Sequence, residues 1–229
     1  RQKMIYQKDT KQYMDFLITL KKDFKLRESP NFIEIVKPNG QKIVSNKNKK
    51  FSKGLYLFNM VKKDIDNYID DNGFITPCDE LPVNFCNDDF DRDVRKVIGY
   101  DINNAYWHVA YLKEYITKKT YLKGIEKEGF KPIRLSTLSC LGKDKMYKVY
   151  KNGEHKNNEL HKGDTELQNF YLDIRYSTYG VLKGISEELG SDFCCWKTDC
   201  IYFYDTKKNR KLVKKRIEEF GLHCKTEAL

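Results

Sequence analysis

The sequence predicts an α+β protein, with a small N-terminal helix and β-hairpin lobe over residues 1–93 and a larger mixed domain over 94–229. Three observations predict it. Apolar residues form 40% of the 229 positions, with 16 Tyr and 13 Phe, which is enough to build a core and unlike a disordered chain. Apolar positions recur at helical spacing in some stretches and alternate in others. Turn signals such as Pro38-Asn39-Gly40 and Asn152-Gly153 separate those stretches.

In chain order, Tyr6, Tyr13, Met14, Phe16, Leu17 and Leu20 predict an amphipathic helix within 4–24, and Pro30 ends that region. Phe32–Val36 and Gln41–Val44 predict a hairpin, and Asn46–Lys50 a basic loop. Leu55, Phe58, Val61, Ile65 and Tyr68 predict a helix over 53–70. Gly73–Asp93, with Pro77, Pro82 and many acids, reads as a connector. Val94–Tyr100 predicts a strand and Ala105–Tyr115 a helix. Residues 131–151 alternate and predict one or two hairpins. Asp164 is a candidate N-cap for a helix over 165–189, interrupted by Gly180 and Gly184. Phe193–Trp196 and Ile201–Tyr204 predict strands joined around Lys197-Thr198-Asp199. A basic helix over 207–220 and a strand within 222–229 complete the chain.

Composition limits function. No stretch approaches the roughly 18 apolar residues of a membrane span. Arg1-Gln2-Lys3-Met4 lacks an apolar signal core, and opening on Arg is what a trimmed chain would show. The seven cysteines are odd in number and form no CxxC pair, which argues against a zinc site or disulfide scaffold and for reduced thiols in a cytoplasmic setting. The net charge of +10 fits either a polyanion partner or a lysine-rich solvated surface. Lys47, Lys49, Lys50 and Lys53 form one basic run, and Lys118, Lys119, Lys123 and Lys127 another. The third includes Lys207, Lys208, Arg210 and Lys211 on the last helix, as candidate nucleic-acid contacts. The acids Asp88, Asp89, Asp91 and Asp93 read as a solvated linker.

The chemistry concentrates in three segments. Asp101 stands at the end of an apolar strand, with Tyr106 five residues on. Tyr176-Ser177-Thr178-Tyr179-Gly180 lies in a helix, and Asp199 occupies a tight turn between apolar strands. Carboxylates at the ends of adjacent strands can converge on divalent cations, and Mg²⁺ prefers such hard oxygen ligands.

In this order the segments resemble the family B DNA polymerases. Asp101-Ile102-Asn103-Asn104-Ala105-Tyr106-Trp107 resembles their Asp-x-x-Ser-Leu-Tyr-Pro motif. Tyr176–Gly180 resembles the end of Lys-x-x-x-Asn-Ser-x-Tyr-Gly, and Lys197-Thr198-Asp199-Cys200-Ile201 resembles Asp-Thr-Asp-Ser-Ile. The resemblance covers about residues 94–229 and implies a polymerase-like palm, an antiparallel sheet with helices on one face, from a reduced phage or mobile-element-like member. It implies two Mg²⁺ or Mn²⁺ ions held by Asp101, Asp199 and the carbonyl of Ile102. Nucleotide contacts would come from Tyr106, Arg175, Tyr179 and Lys197, with a primer hydroxyl attacking a nucleoside triphosphate. The implied partners are DNA, nucleoside triphosphates and a replication protein, in the cytoplasm of a host cell if the source is viral.

The departures bear on activity. Lys197 replaces an acid, Leu172 stands where the family has Lys, and Tyr176 where it has Asn. Arg175 precedes Tyr176 by one helical step and reaches the site only on a rotated helix. Tyr106 is either the floor beneath a sugar or a buried core tyrosine, and Lys197 either a phosphate contact or an exposed turn lysine. Trp107 and Trp196 either stack on bases or pack in the core. Arg134, Lys143, Lys145 and Lys148 are candidate replacements for finger cations. Thirty residues after Asp199 leave no room for a thumb. The expected activity is short, non-processive synthesis. The alternatives are an inactive palm relic that binds nucleic acid or a replication partner, and a fragment of a split polymerase.

Overall fold

A computed structural model describes residues 10–28, 32–46, 49–91, 95–126 and 130–227. The protein is α+β and is built on two antiparallel sheets. In chain order the elements are α1 (Thr10–Thr19), β1 (Phe24–Glu28), β2 (Phe32–Val36), β3 (Lys42–Asn46), α2 (Lys49–Asn72), β4 (Asn84–Cys86), β5 (Val97–Ile102), α3 (Ala105–Leu112) and α4 (Lys118–Ile125). They continue with α5 (Lys131–Ser139), β6 (Lys145–Lys151), β7 (Glu154–His161), α6 (Thr165–Leu189), β8 (Phe193–Lys197), β9 (Cys200–Tyr204), α7 (Lys207–Glu219) and β10 (Cys224–Glu227).

The first sheet has the order β3-β2-β1-β6-β7. Its apolar face carries Phe24, Leu26, Ile35 and Ile43, which pack with Leu17 of α1. The β6–β7 turn has both Asn152 (φ 54°) and Gly153 (φ 78°) in the left-handed region, the geometry Asn-Gly favours in a two-residue hairpin. The second sheet has the order β10-β5-β9-β8-β4. Tyr100 and Ile102 of β5 and Ile201 and Phe203 of β9 point to one face, where they join one core with α2, α3, α6 and α7. Alternation sends Gly99, Asp101, Cys200 and Tyr202 to the other, more open face, outside that core.

The sequence reading fails in identifiable places. The N-terminal helix ends at Thr19, and Phe24–Glu28 is a strand paired with β2 and β6. Phe24 and Leu26 satisfy a strand as readily as a helical tail, and the sheet decides between them. Residues 4–9 of that expected helix, together with Lys47, Asp93, Val94 and Lys127, lie outside the described residues. Lys49 and Lys50 open α2 instead of extending a loop. The connector supplies the edge strand β4, which pairs with β8. Residues 131–139 form a helix, not a strand: Arg134, Thr137 and Leu138 share its buried side at helical spacing. Pro132 near the start of α5 is tolerated because first-turn N–H groups lack intrahelical partners. The helix α4 matches no sequence expectation.

The boundary at 93/94 is crossed in both directions, since β4 joins the second sheet and β6 and β7 join the first. Leu57, Val61 and Ile65 of α2 also belong to the core of the second sheet. The Asp164 cap is as expected, accepting from the Leu167 N–H at 3.1 Å and starting the 25-residue α6. Among the described residues no helix is long and apolar enough to cross a membrane.

Close packing beside the second sheet gives a direct test. Gly124 lies against the indole of Trp107, and a Cβ there would overlap the ring. Trp107 has no slack, because its Nε1–H donates to the Tyr121 carbonyl at 3.1 Å and its side chain is fully buried. Gly124→Ala is expected to destabilise the fold by about 1–3 kcal/mol, read as a lower urea midpoint with unchanged m.

Candidate functional site

The site forms because two strand pairings bring distant residues together. Asp101 and Asp199 are 98 positions apart in sequence. Asp101 sits opposite Cys200 in the β5–β9 ladder, and the next bond runs from the Ile102 N–H to the Asp199 carbonyl at 2.9 Å. Asp199 belongs to the two-residue turn between β8 and β9, where Lys197 pairs with Cys200. Thr198 in that turn has φ 60°, unfavourable for a β-branched residue. The turn is held from the side by a bond from the Thr198 N–H to the Val83 carbonyl at 2.9 Å.

Both carboxylates line a pocket of about 40 Å³ shared with Tyr106, Lys131 and Arg134. That volume accommodates a cation and a few waters, each of which needs roughly 10–15 Å³ by the same measure. Burial, and then the charge of Asp101, push the Asp199 carboxyl above its ordinary range, while Lys131 partly opposes them. Asp101 has a cationic neighbour of its own: Lys225, in register on β10, places its Nζ 3.2 Å from Oδ2.

A partly buried pair of like charges is the arrangement a divalent cation relieves, and the hard oxygen donors fit Mg²⁺ or Mn²⁺. Among the described residues no group of three or more His, Cys, Asp and Glu side chains is placed to hold a metal. Ligands beyond Asp101, Asp199 and the Ile102 carbonyl would therefore be water and substrate oxygens.

The like-charge pair has a stability signature. A raised folded pKa means that the ionised form costs stability at neutral pH, and the cost disappears once pH falls below the ordinary Asp value of about 3.9. Asn at position 199 is therefore expected to raise the Tm of the metal-free protein at pH 7 by about 2–4 °C per kcal/mol of repulsion relieved. The difference should shrink toward pH 4, as checked by thermal melts across that range.

The aromatic members lie close together. The Tyr106 hydroxyl of α3 lies 2.9 Å from that of Tyr179 on α6, and Arg175 Nε donates to the Tyr179 hydroxyl at 3.3 Å. The Arg175 guanidinium stands 5.5 Å from the Tyr171 ring centroid and 5.7 Å from that of Tyr179. The helical step between Arg175 and Tyr176 thus leaves Arg175 with Tyr179, its neighbour one turn on. Burial, and then the Tyr179 hydrogen bond, hold the Tyr106 phenol far above its ordinary value, so it is neutral. Tyr106 is buried and also lines the pocket. Gly180 is exposed, with nothing near the position of a Cβ. Leu172 packs against the core and Tyr176 is buried, and neither lines the pocket.

Other expectations separate. Trp107 and Trp196 are core residues. Trp196 is 3% exposed, donates from Nε1 to the Pro82 carbonyl at 3.1 Å and stacks on Phe85 at 4.8 Å. Lys197 is exposed on the open sheet face, two strands from Asp101. Lys145 and Lys148 lie on β6 of the first sheet. Arg134 does reach the pocket, but it is buried and donates to the Gly124 carbonyl at 2.6 Å and to Asn104 Oδ1. It fixes Asn104, whose φ of 52° turns the chain from β5 into α3.

The helix with Lys207, Lys208, Arg210 and Lys211 packs Val213 and Ile217 into the core on the covered face. None of those four cations lines the pocket. Arg210 is also committed to Asp205, donating to its two oxygens at 2.5 and 2.8 Å. The sequence reading missed Lys131 at the pocket and Lys225 beside Asp101. Assigning 131–139 to strands hid the first, and only the β5–β10 register reveals the second.

No protein-family model matches the sequence, and no curated protein or solved structure matches it either.

Proposed function

We propose that the second sheet and its helices act as a polymerase-like palm that carries out nucleotidyl transfer on nucleic acid, in short, non-processive synthesis of the DNA polymerase or primase type. The observation that carries the reading is the meeting of Asp101 and Asp199 at one pocket, with Tyr106, Tyr179 and Arg175 adjoining it. In this reading Asp101, Asp199 and the Ile102 carbonyl hold the cations. Bound there, two Mg²⁺ or Mn²⁺ ions would supply charge neutralisation at the reacting phosphate and activation of the attacking hydroxyl.

The chain's own groups do the positioning. Lys131, exposed at the rim, meets the triphosphate. Tyr106, held by Tyr179, forms a neutral floor for the sugar. Tyr202 lies over Gly99 on the sheet face that carries Asp101, and a nucleic-acid strand would run beside the acids there. DNA, nucleoside triphosphates and a replication protein are the proposed partners, and the proposed setting is the cytoplasm, that of a host if the source is viral.

The test is extension of a labelled primer–template with all deoxynucleoside triphosphates and Mn²⁺. Extension by a few nucleotides is expected, and its absence with either metal refutes the activity. One charge-assisted phosphate contact is worth about 1.5–3 kcal/mol. Lys131→Ala should therefore raise KM for the nucleotide by about 10- to 100-fold.

A second reading is an inactive palm that only binds nucleic acid or a replication partner. It is favoured by the Lys225–Asp101 pair and by the apolar or buried residues Leu172 and Tyr176 where the resembled family has polar ones. Retention of DNA by a protein that binds neither Mn²⁺ nor nucleotide would select it.

A further inference from the structure

We propose that Cys86 and Cys195 form a redox-sensitive dithiol on the open face of the second sheet, able to close into a cross-strand disulfide. Cys86 of β4 stands directly opposite Cys195 of β8. The Asn87 N–H donates to the Cys194 carbonyl at 2.8 Å, and the Thr198 N–H donates to the Val83 carbonyl at 2.9 Å. These two bonds bracket the 86/195 and 84/197 pairs from outside, so Cys86 and Cys195 are a non-hydrogen-bonded pair. In antiparallel sheets such pairs bring Cα atoms to about 4.5 Å, inside the range a disulfide spans.

The surroundings suit the chemistry. Cys86 and Cys195 face each other across the β4–β8 pair. Cys86 is exposed and Cys195 half-buried, whereas Cys194 and Cys200 are buried. Burial, and then the neighbouring Cys86, push the Cys195 thiol up to about 11, with Lys197 acting against them. Accessible Cys86 is therefore the attacking thiol and Cys195 the resolving one.

The oxidant is a small-molecule disulfide such as oxidised glutathione. The Cys86 thiolate attacks one of its sulfurs, forming a mixed disulfide and releasing one glutathione thiolate. The deprotonated Cys195 sulfur then attacks Cys86 Sγ, forming the intramolecular bond and expelling the second glutathione thiolate. Two electrons pass from the protein to the oxidant, and the two protein protons end on the two released thiols. The product ties the edge strand β4 to β8, whose far end leads into the turn bearing Asp199. The inference rests on this strand register and does not depend on the proposed activity.

The experiment treats the folded protein with oxidised glutathione, then counts free thiols and maps the bond by mass spectrometry. The parent is expected to lose two of its seven titratable thiols, to become two hydrogens lighter, and to melt at a higher temperature until reductant is added. Cys195→Ser should stop at a glutathione on Cys86, and Cys86→Ser should form no internal disulfide. A parent that keeps seven thiols, accumulates glutathione on Cys86 without closing, or closes through another pair would overturn the assignment.

Discussion

Replacing either acid at the pocket by alanine is expected to reduce primer extension by at least about 10³-fold, because each removes several kcal/mol of charge stabilisation at the reacting phosphate. The same substitutions should leave the fold intact. Asp199→Ala removes a carboxylate whose ionised form is disfavoured by burial and by Asp101, so it should not lower the Tm. Asp101→Ala gives up a pair with Lys225, whose side chain is 58% exposed, a kind of contact worth at most about 1 kcal/mol. Loss of activity with unchanged or raised stability is the pattern of residues kept for function. A proportionate fall in Tm would instead make them structural.

The largest stability effect belongs to Asp173, which lies away from the pocket. It is 3% exposed on α6 and takes 2.6 Å and 2.7 Å bonds from Lys113 Nζ and the Tyr115 hydroxyl. It also takes bonds from the Cys78 N–H and thiol, each at 3.0 Å. One carboxylate thus ties the connector and the segment after α3 to α6. Burial alone would raise its pKa, but these hydrogen bonds outweigh burial and hold the carboxyl below its ordinary value. The folded pKa is depressed, so the contribution is present above the ordinary Asp value and is lost as pH falls through the lower folded one. Asp173→Ala strands buried donors and should cost about 3–5 kcal/mol, read as a lower urea midpoint at pH 7. The difference from the parent should narrow below pH 4.

The strand that carries Asp101 and the two strands that flank Asp199 were legible in the sequence, because they are short apolar runs bounded by turn chemistry. The long helix was legible from Asp164 and the spacing of Phe170, Ile174, Leu182, Ile185 and Leu189. What the sequence hid was set by partners far along the chain. Phe24–Glu28 becomes a strand only beside β2 and β6, and β4 exists only as an edge of β8. The pocket cation Lys131 was hidden by the alternating pattern of 131–151, of which only Lys145–Lys151 is a strand. Lys207, Lys208, Arg210 and Lys211 do not line the pocket: charge and helical spacing are plain in the sequence, but the side of the sheet on which the helix packs is not.

The central claim is that Asp101 and Asp199 act together as a divalent-cation site. Titration with Mn²⁺, followed by the loss of the free-ion electron paramagnetic resonance signal with and without nucleoside triphosphate, tests it most directly. The account predicts saturable binding by the parent, strengthened by the nucleotide, and its loss in both Asp101→Ala and Asp199→Ala. Equal binding by the parent and the two variants, or no binding by the folded parent even with nucleotide, would contradict it.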